Sequence, residues 1–398
     1  MVQVKDLTET TLPDLWREVK NQDDWWHDIS SHTLRFVKVL LESSLEGELV
    51  EQLLAGRYRR TEFRRGYRNG SYTRSLSTPV GFIPDLRVPR VRQGGLSSQV
   101  VERYQRRTAE VNDRIRDLFL AGVSTRRVGE VLEPLLGYKP SASTVSNVLK
   151  ALDGEVARFH RRSVSDAYCY LLLDGIVLKV KTGVGAKKRL VLCAYGITPE
   201  GQRELISFRQ AKAESEAQWE AFLRDLYDRG LRGTALRLVT TDGAPGLHQA
   251  LDTVYPYVPR QRCWAHKLRN VAAKLPRKEQ ESCLKEAKSI YLAITRRQAM
   301  DRFLHWEKRW LGIAPKAVAC LKDDLEELLN FLDCPQPHWR KIRTTNAIER
   351  TFREVRRRTR PMSSFNNNAS VDRIVYGVIT HLNTNWKEKP LPEFTQHS

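Results

Sequence analysis

The chain is 398 residues long, 41% hydrophobic and 29% charged, with a formal net charge of +20 at pH 7 and a pI near 9.8. That is room for about two to four domains with sizeable cores, which excludes a disordered or fibrous protein. The basic excess points to a polyanionic partner, and no apolar run approaches the roughly 18 residues that a membrane span needs.

The polar start MVQVKDLTET has no signal-peptide character, so the expected location is the cytoplasm, on DNA and not on a membrane. The six cysteines, at 169, 193, 263, 283, 320 and 334, are scattered, with no C-x-x-C, as befits reduced thiols and no structural zinc. Residues 1–56 read as a helical region, with Leu34, Val37, Leu40, Leu41, Leu45, Leu49, Leu53 and Leu54 at helical spacing behind Trp25 and Trp26. Residues 57–107 change character: Arg59, Arg60, Arg64, Arg65 and Arg68 lead into Asn69-Gly70 and two β-like runs, Tyr72–Val80 and Phe82–Val91. The reading is a basic β-hairpin that follows a DNA backbone. Residues 51–107 hold 13 Arg, no Lys and 4 acids, and residues 340–373 hold 10 Arg or Lys and 3 acids, so the charge is concentrated in two tracts. An arginine bias favours bidentate contact with phosphate and guanine over mere solubility.

Residues 108–162 carry a helix-turn-helix pattern. One helix runs from Asn112 to Ala121, Ser124-Thr125 caps a second, and Ser141 or Ser143 caps a third whose exposed face includes Ser143, Thr144, Asn147 and Lys150, suited to a major groove. The alternative is an ordinary three-helix domain.

From 163 to 267 the pattern turns β-rich. The runs Tyr168–Lys181, Lys188–Ile197 and Glu204–Gln210 are separated by short turns, followed by a helix over Glu214–Arg229 and a strand Leu236–Thr241. Asp174 lies in the middle of the first, almost continuously apolar run, and burying an ionised carboxylate costs several kcal/mol unless it is paired, protonated or metal-bound. Asp242 ends the later strand, before Gly243 and a helix-opening Pro245; taken alone it is as readily a turn residue. Pro256 and Pro259 bracket a second short strand that delivers Cys263, Trp264 and His266 to a helix starting near Lys267. Residues 268–341 read as a helical insertion, within which Asp323, Asp324, Glu326 and Glu327 look like a solvated face. Residues 342–398 begin with a helix capped by Thr345 or Asn346, carrying Glu349 with Arg353 and Arg356 on its face. Carboxylates on two adjacent strands and one helix can hold two Mg²⁺ ions roughly 3.5–4 Å apart, the arrangement that in-line phosphoryl transfer needs, with Mn²⁺ able to substitute.

The run Asp242, Gly246, Leu247, Val254, Tyr255, Pro256, Gln261, Cys263, His266, with the N-A-I-E-R block around Glu349, resembles the signature of the mutator-type transposases of bacterial insertion sequences. Ser364 departs from the pattern, standing where a Gly is expected before Phe365. The resemblance implies a DDE-type recombinase of multidomain α/β fold: a ribonuclease-H-like mixed-sheet core with an all-helical insertion, preceded by helical and helix-turn-helix DNA-binding domains. It implies that Asp174, Asp242 and Glu349 are catalytic and metal-binding, and that the partners are double-stranded DNA, as terminal inverted repeats and target, and a second protomer or larger assembly on the bacterial nucleoid. It also marks Cys263 and His266 as functional. Two readings stand for that trio: Trp264 stacking on an unpaired base with His266 on a phosphate, or a buried Cys with a His capping the next helix. A DNA-binding regulator with an inactive core is the alternative for the whole chain.

Overall fold

The structure, a computed structural model, describes residues 25–59, 61–93, 95–102, 104–182, 185–359, 365 and 367–395. The chain forms two compact units, Met1–Lys150 and Ala151–Ser398.

The first unit opens with helix α1 (Trp25–Leu53). Leu45, Leu49 and Leu53 are at most 1% exposed, each burial contributing about 1.5–3 kcal/mol, while Leu34, Val37 and Leu41 pack on a cluster of Leu76, Ile83, Leu86 and Val101. Leu40 and Leu54, expected on the same stripe, are 54% and 44% exposed. The cluster belongs to a hairpin of β1 (Arg68–Thr78) and β2 (Gly81–Val91), antiparallel and closed at Thr78↔Gly81. Asn69-Gly70 does not precede the strands but lies inside β1, where Gly70, at φ +69, sits within a register shift. Carboxylates of α1 serve the hairpin and the segment after it: Glu42 accepts from Arg87 N at 2.8 Å and Glu48 from Gln99 N at 2.8 Å.

Helices α2 (Ala109–Leu120), α3 (Thr125–Leu136) and α4 (Ala142–Leu149) follow. Ser124 caps α3 and Ser141, not Ser143, caps α4, accepting from Thr144 N at 3.1 Å. Gly129 is required between them, because a Cβ there would stand 2.3 Å from the carbonyl oxygen of Pro140.

In the second unit α5 (Leu152–Arg161) precedes β3 (Tyr170–Thr182), β4 (Gly185–Ile197) and β5 (Arg203–Ala211). This helix, grouped by sequence with the three before it, falls in the second unit, where Arg373 grips both oxygens of Asp153 at 2.7 Å. Helix α6 (Glu216–Asp228) leads to β6 (Leu238–Thr241), α7 (Pro245–Val254) and β7 (Arg260–Arg262). The sheet order is β5-β4-β3-β6-β7, with β3, β4 and β5 antiparallel and β6 and β7 parallel to β3. Trp219, Phe222, Leu223 and Leu226 of α6 join Leu171, Leu173, Leu192 and Val239 in one core. From Tyr170 to Asp174 the strand is covered on both faces, as its apolar run there requires, whereas beyond Gly175 it alternates, with Val177 and Lys179 exposed, against the expectation of a continuously buried strand.

Then come α8 (Trp264–Ala272), α9 (Arg277–Tyr291), α10 (Arg296–Trp310), α11 (Pro315–Lys322), α12 (Leu325–Leu329), two short 3₁₀ turns and α13 (Trp339–Ile342), with no strand among the described residues of this stretch. Helices α14 (Asn346–Thr359), α15 (Asn368–Lys387) and α16 (Pro392–Thr395) complete the unit. The strand expected between Pro256 and Pro259 instead starts after Pro259, and α8 starts three residues before Lys267, because Cys263 occupies the N-cap position and its carbonyl takes Lys267 N at 3.0 Å. No described helix is long and apolar enough to cross a membrane.

Candidate active site

Asp174 sits mid-strand in β3 and is 6% exposed; its Oδ1 accepts from Gly175 N at 2.7 Å. Burial pushes its carboxyl up to about 6; His266, the Gly175 N–H and the Thr345 hydroxyl oppose the rise, and the negative charge of Asp242 adds to it. Asp242 comes into reach because β3 and β6 are parallel, with Leu172 opposite Thr240, so that two residues further on the two aspartates stand on neighbouring strands. Its Oδ1 accepts from Ala244 N at 3.0 Å, and Pro245 opens α7. The Asp242-Gly243 turn is clasped by Arg262, whose Nη2 donates to Gly243 O at 2.5 Å and whose Nη1 pairs with Asp324.

Glu349 occupies the first turn of α14, its N–H bonded to Thr345 O at 3.1 Å. Its Oε1 takes Arg269 Nη2 at 2.5 Å and lies 3.6 Å from His266 Nε2. His266 is thus set among acids. Its hydrogen bond to Cys263 chiefly pushes its pKa up to about 9, against burial, with help from the charge of Asp174. Burial alone would push the Cys263 thiol up; bonds from His266 and Thr345 outweigh it and hold the thiol below its ordinary range. Thr345 N donates to Cys263 Sγ at 3.3 Å, and Thr345 Oγ1 lies 3.4 Å from His266 Nδ1.

Asp174, His266, Arg269, Glu349, Arg353 and Arg356 line one cleft of about 340 Å³, with Gly175 and Phe352. Of the three predicted carboxylates the cleft brings Asp174 and Glu349 together; Asp242 does not line it and is felt at Asp174 only through its charge, and among the described residues no three His, Cys, Asp or Glu side chains are gathered closely enough to grip an ion. Glu349 is engaged by Arg269 and His266 instead. The donor chemistry nevertheless suits a hard divalent cation: oxygen ligands only, with Asp174 desolvated beside a second negative charge, a pairing that a cation would relieve.

Some placements depart from the sequence reading. Trp264 is 1% exposed, with its indole N–H given to Leu328 O at 2.7 Å, so it offers no face for a base to stack on. Asp324 is not on a solvated face: it is largely buried, paired with Arg262 and Lys267, while Glu327 faces His248 at 3.5 Å. Asp323 and Glu326 are exposed as expected. Two residues of the site were missed. Arg269 lies one helical turn beyond His266, a relation visible only once α8 starts at Trp264. Glu214, before α6, has its carboxyl raised by burial and then by Asp242, and no pattern in the sequence marked it.

In the first unit Ser143, Asn147 and Lys150 are exposed on or beside α4, and Thr144 is half-buried with its hydroxyl bonded to Ser141 at 3.0 Å. Arg59 and Arg65 are exposed; Arg64 lies over the Tyr67 ring, 4.7 Å from its centroid. Arg68 is half-buried in an ion pair with Glu46, so it belongs to the α1–hairpin packing and is not free for a phosphate. Arg60 and Ser364 lie outside the described residues.

The family described as "Transposase, Mutator family" matches residues 7–389. The chain is 35% identical over 352 residues to the transposase for insertion sequence element ISRM5 of Rhizobium meliloti, covering 88% of each chain. It is 34% identical to the transposase for insertion sequence element IS256 in transposon Tn4001 of Staphylococcus aureus, covering 90% of this chain and 91% of that one. With the transposase for insertion sequence element IS905 of Lactococcus lactis the identity is 32%, over 87% and 88% of the two chains. The chain belongs to the Mutator family of transposases.

Proposed function

We propose that this transposase binds the terminal inverted repeats of an insertion sequence and carries out metal-dependent DNA strand cleavage and strand transfer, as a dimer or larger assembly on DNA. The observation that carries the reading is the sharing of one cleft by Asp174 and Glu349, with Asp242 directly after the strand that pairs in parallel with that of Asp174. The sheet order, with three antiparallel strands, a helix and then a parallel strand, supports a ribonuclease-H-like core. The capped helices α3 and α4 support a helix-turn-helix that enters a major groove by Ser143, Asn147 and Lys150.

Asp174, Asp242 and Glu349 would hold Mg²⁺, as two ions, with Mn²⁺ as substitute; bound there, the metal supplies the charge neutralisation that in-line phosphoryl transfer needs. Around them Arg269, Arg353 and Arg356 form a cationic wall that grips the phosphates next to the scissile bond. His266, protonated at neutral pH, links Glu349 to the buried Cys263–Thr345 pair and orients the carboxylate. No Tyr or Ser is needed as nucleophile, so no covalent protein–DNA intermediate forms.

The test is incubation of the purified chain with Mg²⁺ and labelled DNA carrying the ends of its element. Wild type is expected to cut and join, while Asp174→Asn, Asp242→Asn and Glu349→Gln each bind but leave the DNA intact. A DNA-binding regulator would bind without cutting, and a plain nuclease would cut without joining. Wild-type nicking by any of the three variants removes that residue from the site.

A further inference from the structure

The second unit has a larger concavity, of about 800 Å³, that shares Arg269 with the carboxylate cleft. Half-buried Tyr291, Trp386 and Leu268 form its apolar surface, and exposed Lys288, Arg340 and Arg350 bring charge to it. Among the described residues no carboxylate lines it. The aromatic rings are already faced by guanidinium groups, Arg343 at 4.5 Å from the Tyr291 centroid and Arg203 at 5.1 Å from that of Trp386. The buried Nε of Arg203 has no hydrogen-bond partner among the described residues. Burial holds the Arg343 guanidinium below its ordinary range, and the charge of Arg340 adds to that effect.

Arg269 and Lys341 on its lining are paired with Glu349 and Glu393, but Lys288, Arg340, Arg343 and Arg350 stand close enough to repel one another, and an anion is what relieves them. The volume is that of a small-ligand pocket, roughly 300–1,000 Å³. It is far too small for a duplex, whose major groove alone is about 12 Å wide. Aromatic faces interleaved with phosphate-binding cations are the means by which single strands are held, each base stacking whatever its identity. We propose that this pocket takes one or two unpaired nucleotides of the DNA strand adjoining the scissile phosphate, bases against Tyr291 and Trp386 and phosphates on Lys288, Arg340 and Arg350. The assignment of that strand rests on the transposase reading; the chemistry of the pocket does not.

The experiment uses the full chain and two fluorescent probes, a short oligothymidylate and a blunt hairpin duplex, titrated over a series of salt concentrations. Lys288 and Arg340 are exposed, so Lys288→Ala/Arg340→Ala keeps the fold. It should weaken oligothymidylate binding at least about tenfold and lower its salt slope by about 1.4, two phosphate contacts at roughly 0.7 each, with duplex affinity kept within about twofold. Arg59→Ala/Arg64→Ala/Arg65→Ala should do the reverse. Photocrosslinking with 5-iodouracil in the oligomer should label peptides that contain Tyr291 or Trp386. An unchanged oligothymidylate affinity and slope in the double variant, or crosslinks confined to the first unit, overturns the proposal. Failure of wild type to cut element ends, with these results otherwise as expected, overturns the transposition chemistry and leaves a single-strand pocket standing.

Discussion

Gly243→Ala tests whether the Asp242 turn depends on its clasp. Gly243 has φ +89, and a Cβ there would stand 2.0 Å from Arg262 Nε and 2.3 Å from its Nη2. A side chain in the left-handed region costs about 1–2 kcal/mol. The contact is impossible, so the guanidinium must leave. It then loses its bond to Gly243 O, about 1.5–3 kcal/mol for a charged donor, and loosens its pair with Asp324. The total is about 2.5–5 kcal/mol. At about 2–4 °C per kcal/mol for a unit of this size, the melting temperature should fall by about 5–20 °C. Thermal unfolding followed by circular dichroism reads this, with Arg262→Ala and the double variant completing a cycle. In the Arg262→Ala background the clash is gone, so Gly243→Ala should cost only the backbone part, about 1–2 kcal/mol. An equal cost in both backgrounds, or a melting temperature within about 2 °C of wild type, would show that the turn does not depend on Arg262.

Asp174 has its pKa raised in the folded state to about 6, so its neutral form is favoured there: that stability is full below about 4 and is lost as pH rises through about 6. In metal-free buffer Asp174→Asn should therefore melt higher than wild type at pH 8, with the gap closing by pH 4; a gap independent of pH contradicts the burial argument. Adding Mg²⁺ should raise the wild-type melting temperature and leave that of Asp174→Asn nearly unmoved. His266→Ala should bind duplex DNA normally and lose strand cleavage, since Glu349 loses its orienting contact; full specific activity per folded molecule would make His266 structural only. Neutralising Arg59, Arg64 and Arg65 should flatten the salt dependence of duplex binding by about one unit of slope per lost phosphate contact, and an unchanged slope moves the DNA footprint elsewhere.

The parts of the fold that were legible in the sequence are those specified by neighbouring residues. Tyr170–Leu173 show their burial in their own apolar run, so Asp174 stands out at its end. Glu349 follows Thr345 and Asn346 at the spacing of a helix start, and its facing arginines come at i+4 and i+7. What stayed hidden depends on distant partners. Periodicity assigns Asp324 a helical face, but its burial comes from Arg262, 62 positions earlier, and from Lys267. Arg68 reads as one more surface arginine until Glu46 of α1 is seen to reach it. The Asn-Gly dipeptide at 69–70 suggests a tight turn, yet strand pairing with β2 continues across it and turns its left-handed glycine into a bulge. Pro256 and Pro259 announce the short strand too early: β7 is only three residues long, too short for its composition to fix its bounds, and its place after Pro259 comes from pairing with β6.

The bidentate bond between Arg373 and Asp153 joins positions 220 residues apart, the first helix of the second unit to its longest. On a ribosome adding about 5–20 residues per second, Asp153 emerges roughly 10–45 s before its partner, and Glu349 follows Asp242 by several seconds more than the sheet needs to pair. Glu349, and after it Arg373, thus arrive late, after residues 25–150 have been released. A message broken before α15 then yields a chain whose first unit is whole and whose second is left open. Under the transposase reading, such fragments occupy the element's ends without cutting them, so damage to the transcript's 3′ end lowers transposition twice: fewer complete enzymes, and more competitors for the same DNA.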